Sequence, residues 1–60
     1  MKRKEFYSLL STYEFYKVRT SGKHEIYRSE RYGTFPIPRG GNIVSLGIVW
    51  NLERKVKKTN

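Results

Sequence analysis

Acid–base chemistry in this sequence would depend on one residue, because His24 is the sole histidine. A free imidazole changes protonation at about pH 6.5, so it can take or give a proton near neutrality. Metal-free cleavage of RNA is one reaction that could use such a group, because it moves the proton of a ribose 2′-hydroxyl and stabilises charge on a phosphate. One ring does not obviously serve as both base and acid, and the second group is Glu25, a lysine, Tyr27 or water. The alternative interpretation of His24 is a solvated residue at the start of a strand.

Cationic side chains accompany His24 along the chain. Four of them lie in or across from its segment, namely Lys17, Arg19, Lys23 and Arg28. They would hold RNA phosphates and stabilise the transition state, or they would simply form a solvated, charged strand face.

A second basic group, Lys2-Arg3-Lys4, opens the chain. Cations at a helix N-terminus oppose the helix dipole and cost roughly 0.3 kcal/mol or more each. RNA binding explains their presence, and so does a frayed, well-solvated terminus.

Composition limits the class of protein. Sixty residues, without cysteine or aspartate and with a net charge of +8, indicate one small domain, 1–60, that attracts polyanions. Nine aromatic residues argue against a disordered basic tail. The sequence offers no disulfide framework, no ligand cluster for a metal, no membrane span and no apolar stretch typical of a signal peptide. We therefore expect a cytoplasmic protein without cofactor or metal.

The first half of the chain predicts a helix followed by a hairpin. Apolar residues at i, i+3, i+4 and i+7 predict a helix over Lys2–Tyr13, with its stripe formed by Phe6, Leu9, Leu10 and Tyr13. Aromatic and β-branched residues from Phe15 predict a strand that ends at Ser21-Gly22, where Gly22 supplies the positive φ of a turn. A second strand is expected over Lys23–Ser29. If Ile26 points toward the helices, period-two alternation puts His24 on that face too.

The second half predicts a short third strand and a helix. The strand spans Thr34–Ile37, and Pro36 and Pro38 place it at a sheet edge because proline cannot donate a ladder hydrogen bond. Ser45 is the expected N-cap of a helix from about Leu46 to Lys57. The order α-β-β-β-α predicts an α+β domain, in which two helices cover one face of a three-stranded antiparallel sheet.

The aromatic residues divide into two expected groups. Core positions are the simplest interpretation of Phe6, Phe15, Phe35 and Tyr13. Packing at the core or its edge is also favoured for a second set that would otherwise offer base-stacking surfaces, namely Tyr16, Tyr27, Tyr32 and Trp50.

The run Gly22-Lys23-His24-Glu25-Ile26-Tyr27, together with Lys4-Glu5-Phe6, Leu9-Leu10, Phe15 and Val18-Arg19, resembles the HicA family of bacterial toxins. A Gly-x-His step between the first two strands is the mark of that family. The resemblance continues through Pro36, Ile37 and Pro38 to the helix entered by Ser45-Leu46, so it covers nearly the whole chain. Two positions depart from the family: Lys23 stands where serine is usual, and Glu25 where a second histidine is common.

The resemblance implies a fold similar to double-stranded-RNA-binding domains and a messenger-RNA interferase of a type II toxin–antitoxin system. It implies His24 as the catalytic residue, messenger RNA as substrate, and a HicB-like antitoxin that masks the site. Two rival functions share the charge and element order. One is a non-catalytic double-stranded-RNA-binding module, and the other is a small DNA-binding structural protein.

Overall fold

The computed structural model describes residues 1–58. Helix α1 spans Arg3–Thr12, the strands β1, β2 and β3 span Tyr16–Ser21, His24–Ser29 and Gly33–Pro38, and helix α2 spans Leu46–Lys58. The predicted α-β-β-β-α order of a small α+β fold is confirmed. The elements expected from the sequence all form, with boundaries that differ from the predicted ones by at most one residue.

The three strands form one antiparallel sheet in the order β1-β2-β3. β2 is therefore central, and β3 lies at an edge as its prolines predict. Pro36 pairs with Ile26 and Pro38 with His24. Among the described residues no strand lies on the other side of β3, so the two missing N–H donors cannot interrupt pairing there.

Both helices share one core with the sheet. Phe6 and Leu10 of α1 and Leu52 of α2 are at most 1% exposed, and each belongs to a single apolar cluster with Phe35 and Ile37 of β3. Within β3 the side chains alternate, since Phe35 and Ile37 are buried while Thr34, Pro36 and Pro38 are exposed. This alternation shows that the helices cover one face of the sheet and leave the other open.

The two turns of the sheet are stabilised differently, one by a glycine at positive φ and the other by a serine hydroxyl. The β1–β2 connection is Gly22-Lys23, with φ +57° at Gly22, which is typical of a type II′ hairpin turn. The strand therefore starts at His24, one residue later than predicted. In the β2–β3 turn the buried Ser29 hydroxyl accepts the backbone N–H groups of Arg31 and Tyr32 at 3.2 and 3.3 Å. Ser29 thus satisfies turn donors that the ladder leaves unpaired.

The N-terminus is fastened to the segment before α2. The Met1 ammonium donates to the Val44 carbonyl at 3.1 Å, and the Val44 N–H donates back to Met1 at 2.7 Å. The Arg3 N–H donates to the Asn42 carbonyl at 2.7 Å. Of the two explanations for the basic run, the frayed terminus is wrong, because backbone pairing holds the first three residues. Ser45 directly precedes α2 as expected, and its carbonyl accepts the N–H groups of Ile48 and Val49.

Candidate functional site

The sheet surface turned away from the helices carries His24. Residues paired directly across antiparallel strands project to the same side, so the register assigns the members of this surface. Ser21 pairs with His24, Arg19 with Ile26, and Tyr16 with Arg28. β3 adds Thr34, Pro36 and Pro38. We call this surface the open face; it is formed by Tyr16, Arg19, Ser21, His24, Ile26, Arg28, Thr34, Pro36 and Pro38.

His24 lies exposed at the turn end of the open face. It follows the Gly22-Lys23 turn directly and sits between Ser21 of β1 and Pro38 of β3. The condition that would have turned His24 toward the helices is not met, because Ile26 faces away from them. Its neighbours Glu25 and Tyr27 take the helix side instead, since they pair with the buried Ile37 and Phe35. His24 is therefore accessible to a macromolecular substrate.

A β-bulge decides which cations join His24. Lys17 pairs with Tyr27 and Arg19 with Ile26, so Val18 is an extra residue in β1. Without the bulge Lys17 and Arg19 would share a face, whereas here Arg19 projects to the open face and Lys17 to the helix side. From strand spacing and rise, the Cα atoms of Arg19 and His24 are roughly 8 Å apart. Arg19 is the open-face cation nearest to His24 within the two strands.

The far end of the open face holds Arg28 and Tyr16. Arg28 is exposed on the same strand as His24, roughly 13 Å along it at four residues' separation. Tyr16, 45% exposed, donates its hydroxyl proton to the Glu30 carboxylate at 3.1 Å. That hydrogen bond to an anion raises the pKa of the Tyr16 phenol. The tyrosine is thereby held in its neutral form beside Arg28, with its ring available.

The helix side of the hairpin carries an ionic network centred on Glu25. The Tyr7 hydroxyl of α1 donates to the Glu25 carboxylate at 2.6 Å, and the Lys17 ammonium lies 3.6 Å from its other oxygen. The Tyr7 hydrogen bond, followed by the charges of Lys17 and Arg3, holds the pKa of Glu25 below its usual range. Glu25 is thus a stable anion that ties α1 to the hairpin.

Tyr27 belongs to the same helix-side network. Its ring stacks on that of Tyr7 with centroids 5.9 Å apart, and it is half-buried. Burial, together with the nearby Tyr7 and Glu25, raises the pKa of Tyr27. Glu25 and Tyr27 are therefore on the opposite face from His24. Of the groups that sequence left open as the second proton carrier, a lysine such as Lys23 and water remain compatible with this geometry.

Arg3 has a role that sequence reasoning missed. Its guanidinium donates to the carbonyls of Gly41 at 2.9 Å, Pro38 at 3.0 Å and Gly40 at 2.7 Å, and to the Tyr7 hydroxyl at 3.2 Å. It thus fastens α1 to the loop after β3. No sequence signal could have found this role, because Gly40 and Gly41 are exposed and water can also satisfy their carbonyls.

The other predicted phosphate-binding residues lie apart from one another. Lys2 and Lys4 are exposed at the start of α1, on the helix side of the sheet. Lys23 is exposed in the hairpin turn beside His24. Of the predicted set, Arg19, Lys23 and Arg28 are brought together with His24, and Lys2, Arg3, Lys4 and Lys17 are not.

The aromatic residues fall largely where they were expected. Phe6, Phe15 and Phe35 are buried, and Tyr13 packs against them half-buried. Tyr32 stacks on Phe15, as expected. The packing expected for Tyr16 and Trp50 is not found, because these residues are 45% and 59% exposed on β1 and α2.

Two further properties of residues 1–58 complete the description. In this range no three His, Cys, Asp or Glu side chains gather as a metal site would require. Neither of its helices combines the length and the apolar character needed to cross a membrane.

Comparisons with protein-family models, curated proteins and solved structures find no match to this chain. The resemblance described above is therefore a hypothesis that rests on the residues themselves.

Proposed function

We propose that this protein is a HicA-like toxin, an endoribonuclease that cleaves messenger RNA without a metal ion and so stops translation. The observation that carries the proposal is the placement of the sole histidine. His24 is exposed after a type II′ turn, on a sheet face that also presents Arg19 and Arg28. A polyanion attracted by the net charge of +8 meets there an imidazole, a side chain that can give or take a proton.

In the proposed reaction the ribose 2′-oxygen attacks the adjacent phosphorus and the 5′-oxygen of the next nucleotide leaves. One proton leaves the 2′-hydroxyl and one reaches the departing oxygen. His24 transfers one of these protons, and water or Lys23 accounts for the other. Arg19 stabilises the charge that develops on the reacting phosphate, and Arg28 binds a phosphate of the same RNA strand farther along the open face. The products are a 2′,3′-cyclic phosphate and a free 5′-hydroxyl.

The proposed protein partner is a HicB-like antitoxin that covers the open face. The hairpin presents cations around His24, so an acidic partner would associate there with electrostatic steering. Binding should slow hydrogen exchange of the backbone from Lys23 to Tyr27. Protection confined to the helix side would instead contradict direct masking of the site.

The deciding experiment replaces His24 by alanine. The substitution should lower the cleavage rate of a labelled single-stranded RNA roughly 10²- to 10⁴-fold, as is usual for a general acid or base. The fold should persist because His24 is exposed. Thermal melting and RNA binding are measured on the same preparations. Chelation of divalent ions should leave the wild-type rate unchanged.

One arginine variant and one lysine variant form a matched pair that tests which cations of β1 contact RNA. Arg19→Ala and Lys17→Ala each remove one cation from β1, but the bulge places them on opposite faces. Only Arg19→Ala should reduce cleavage and lower the salt dependence of RNA binding by roughly one phosphate contact, about 0.7 in log K per decade of salt. A folded His24→Ala protein that cleaves at the wild-type rate would refute the assignment. Wild-type protein that binds double-stranded RNA and never cleaves RNA would favour the binding-module alternative.

A further inference from the structure

One face of α2 exposes two large apolar side chains. Leu46 is 60% exposed and Trp50 is 59% exposed. They are four residues apart in the helix, so their side chains are neighbours on its surface. The opposite face of the helix already supplies the core, through Val49, Leu52 and Val56. Leu46 and Trp50 therefore do little for the folding of residues 1–58, although both are the kind of side chain that usually anchors a protein interface.

Gly47 lies between these two residues without an internal reason to be glycine. Its φ is negative, and a Cβ built there meets only the Ser45 hydroxyl at 4.0 Å, which is ordinary contact. Glycine is among the least favourable residues in a helix, so the fold itself would be better served by alanine. The missing side chain leaves the backbone of this exposed residue uncovered next to Leu46 and Trp50. Another chain can therefore approach the helix closely at this point.

The charge on this side of α2 is positive. Arg54 and Lys57 lie one and two turns beyond Trp50 on the same side of the helix. Glu53, three residues beyond Trp50, lies on this side too, and its carboxylate is 4.0 Å from the Lys57 ammonium. Two cations and one anion leave this side of the helix with a net charge of +1. The first turn of α2 contains no acidic side chain, so the positive end of the helix dipole is not neutralised from within the helix.

We propose that the surface formed by Leu46, Gly47, Trp50, Arg54 and Lys57, hereafter the α2 face, docks an acidic polypeptide. The partner covers Leu46 and Trp50 with apolar side chains and places carboxylates against Arg54 and Lys57. This surface is on the helix side of the sheet, away from His24. The inference therefore stands independently of the proposed nuclease activity.

Charge and area favour this occupant over a second copy of the chain. Two apolar side chains cover little of the roughly 800 Å² that each partner buries in a stable interface, so charged contacts must supply much of the remainder. Two copies would each bring a net charge of +8 and would oppose Arg54 and Lys57 with the same residues. An acidic chain converts that repulsion into attraction.

RNA and membranes fit the α2 face less well. A nucleic acid offers bases that stack on Trp50 and phosphates for Arg54, but no aliphatic surface to cover Leu46. An amphipathic helix that lies in a bilayer inserts a broad apolar face, whereas here that face is buried in the core.

Trp50 makes the test direct, because it is the only tryptophan. The probe is an amphipathic helical peptide of eighteen residues (about five turns) with leucines on one face and glutamates on the other. We expect it to shift Trp50 emission to shorter wavelength in a saturable manner at low ionic strength. A peptide with the same leucines and lysine in place of glutamate should leave the emission unchanged.

Three variants locate the binding surface. Leu46→Ser should weaken binding of the acidic peptide roughly tenfold, as expected for loss of two or three buried methylene groups. Gly47→Gln should weaken it similarly, because the added side chain covers backbone that the peptide would approach, while the melting temperature stays level or rises because that side chain meets no clash. Val18→Ser is the matched control, because Val18 is 46% exposed in β1 and is not part of the α2 face, and it should bind like wild type.

Each remaining outcome counts against the proposal. Absence of binding by the acidic peptide overturns it, as does equal binding by the lysine peptide. A dimer in sedimentation that Leu46→Ser dissociates would assign the α2 face to a second copy. A blue shift with anionic vesicles, or saturable quenching by oligouridine, that Leu46→Ser abolishes would assign it to lipid or RNA. His24→Ala should bind the acidic peptide like wild type, so a failure of the nuclease proposal leaves this result intact.

Discussion

Replacing Arg3 by alanine should destabilise the protein far more than its place in a basic N-terminal run suggests. The guanidinium bridges α1 to the loop after β3 through the carbonyls of Pro38, Gly40 and Gly41, at 2.7 to 3.0 Å. The same group donates to Tyr7, which in turn holds Glu25. Its removal therefore loosens the loop and one end of the network beneath the hairpin.

The expected loss follows from the number and exposure of these contacts. An intramolecular hydrogen bond contributes about 0.5–1.5 kcal/mol net, and water can replace the arginine at carbonyls of exposed residues. Four contacts of this kind give roughly 2 kcal/mol in total. A chain of sixty residues has about 3–9 kcal/mol of stability, so the loss is a large fraction of it. For a domain of this size the melting temperature should fall by roughly 8–15 °C.

The assay is thermal and urea denaturation of Arg3→Ala beside Lys4→Ala. Lys4 is the next residue of α1 and is exposed, so its removal takes away the same charge without the loop contacts. Lys4→Ala should lie within about 0.5 kcal/mol of wild type. Arg3→Lys should fall between Arg3→Ala and wild type, because an ammonium keeps the charge but cannot span three carbonyls as the guanidinium fork does.

Equal melting temperatures for Arg3→Ala and Lys4→Ala would refute the anchoring role. So would full recovery of stability in Arg3→Lys, since that result would mean that charge alone matters. A purely RNA-binding Arg3 would leave melting unchanged and reduce the salt dependence of RNA binding. The two roles are therefore separated by measurements on the same protein.

Two further predictions concern Glu25 and the glycines. Since folding lowers the pKa of Glu25, its carboxylate stabilises the protein above the ordinary glutamate value of about 4.3, and the contribution is lost as pH falls through the folded value. Glu25→Gln should cost about 1 kcal/mol at pH 7, and in melting curves the gap to wild type should narrow progressively as the pH falls below the ordinary glutamate value; a constant gap would contradict the assignment. Gly22→Ala should lose about 1 kcal/mol because φ is +57° there, whereas Gly47→Ala should gain about 0.4–1 kcal/mol because its φ is negative and space is open. Urea midpoints measure both, and a change of the same sign in the two variants would refute this reasoning.

The element order was predictable because it depends on local patterns. The apolar spacing of Phe6, Leu9 and Leu10 marks one side of a helix whatever surrounds it. Proline at 36 and 38 cannot donate to a ladder in any fold, so an edge position followed from chemistry alone. The turn at Gly22 likewise follows from the freedom of glycine at positive φ. Such features are properties of a few consecutive residues.

The faces of the sheet were decided only by tertiary packing. In β2 the alternating sets His24, Ile26, Arg28 and Glu25, Tyr27, Ser29 are nearly balanced in apolar character, so either could have faced the helices. The second set does so because Tyr27 stacks on Tyr7 and the Glu25 carboxylate finds Tyr7 and Lys17. Those partners lie 8 to 20 residues away along the chain, beyond the reach of period-two reasoning.

The candidate site shows the same division. Sequence singled out His24 and a surplus of cations, since composition and residue type need no coordinates. The bulge at Val18 then separated Lys17 from Arg19, and the loop at Gly40 and Gly41 drew Arg3 into a structural role. A bulge changes the face of every residue on one side of it, and a guanidinium fork responds to carbonyls that only the folded chain brings together. The sequence was therefore enough to identify the candidate residues, whereas the neighbours of each side chain were decided by the tertiary structure.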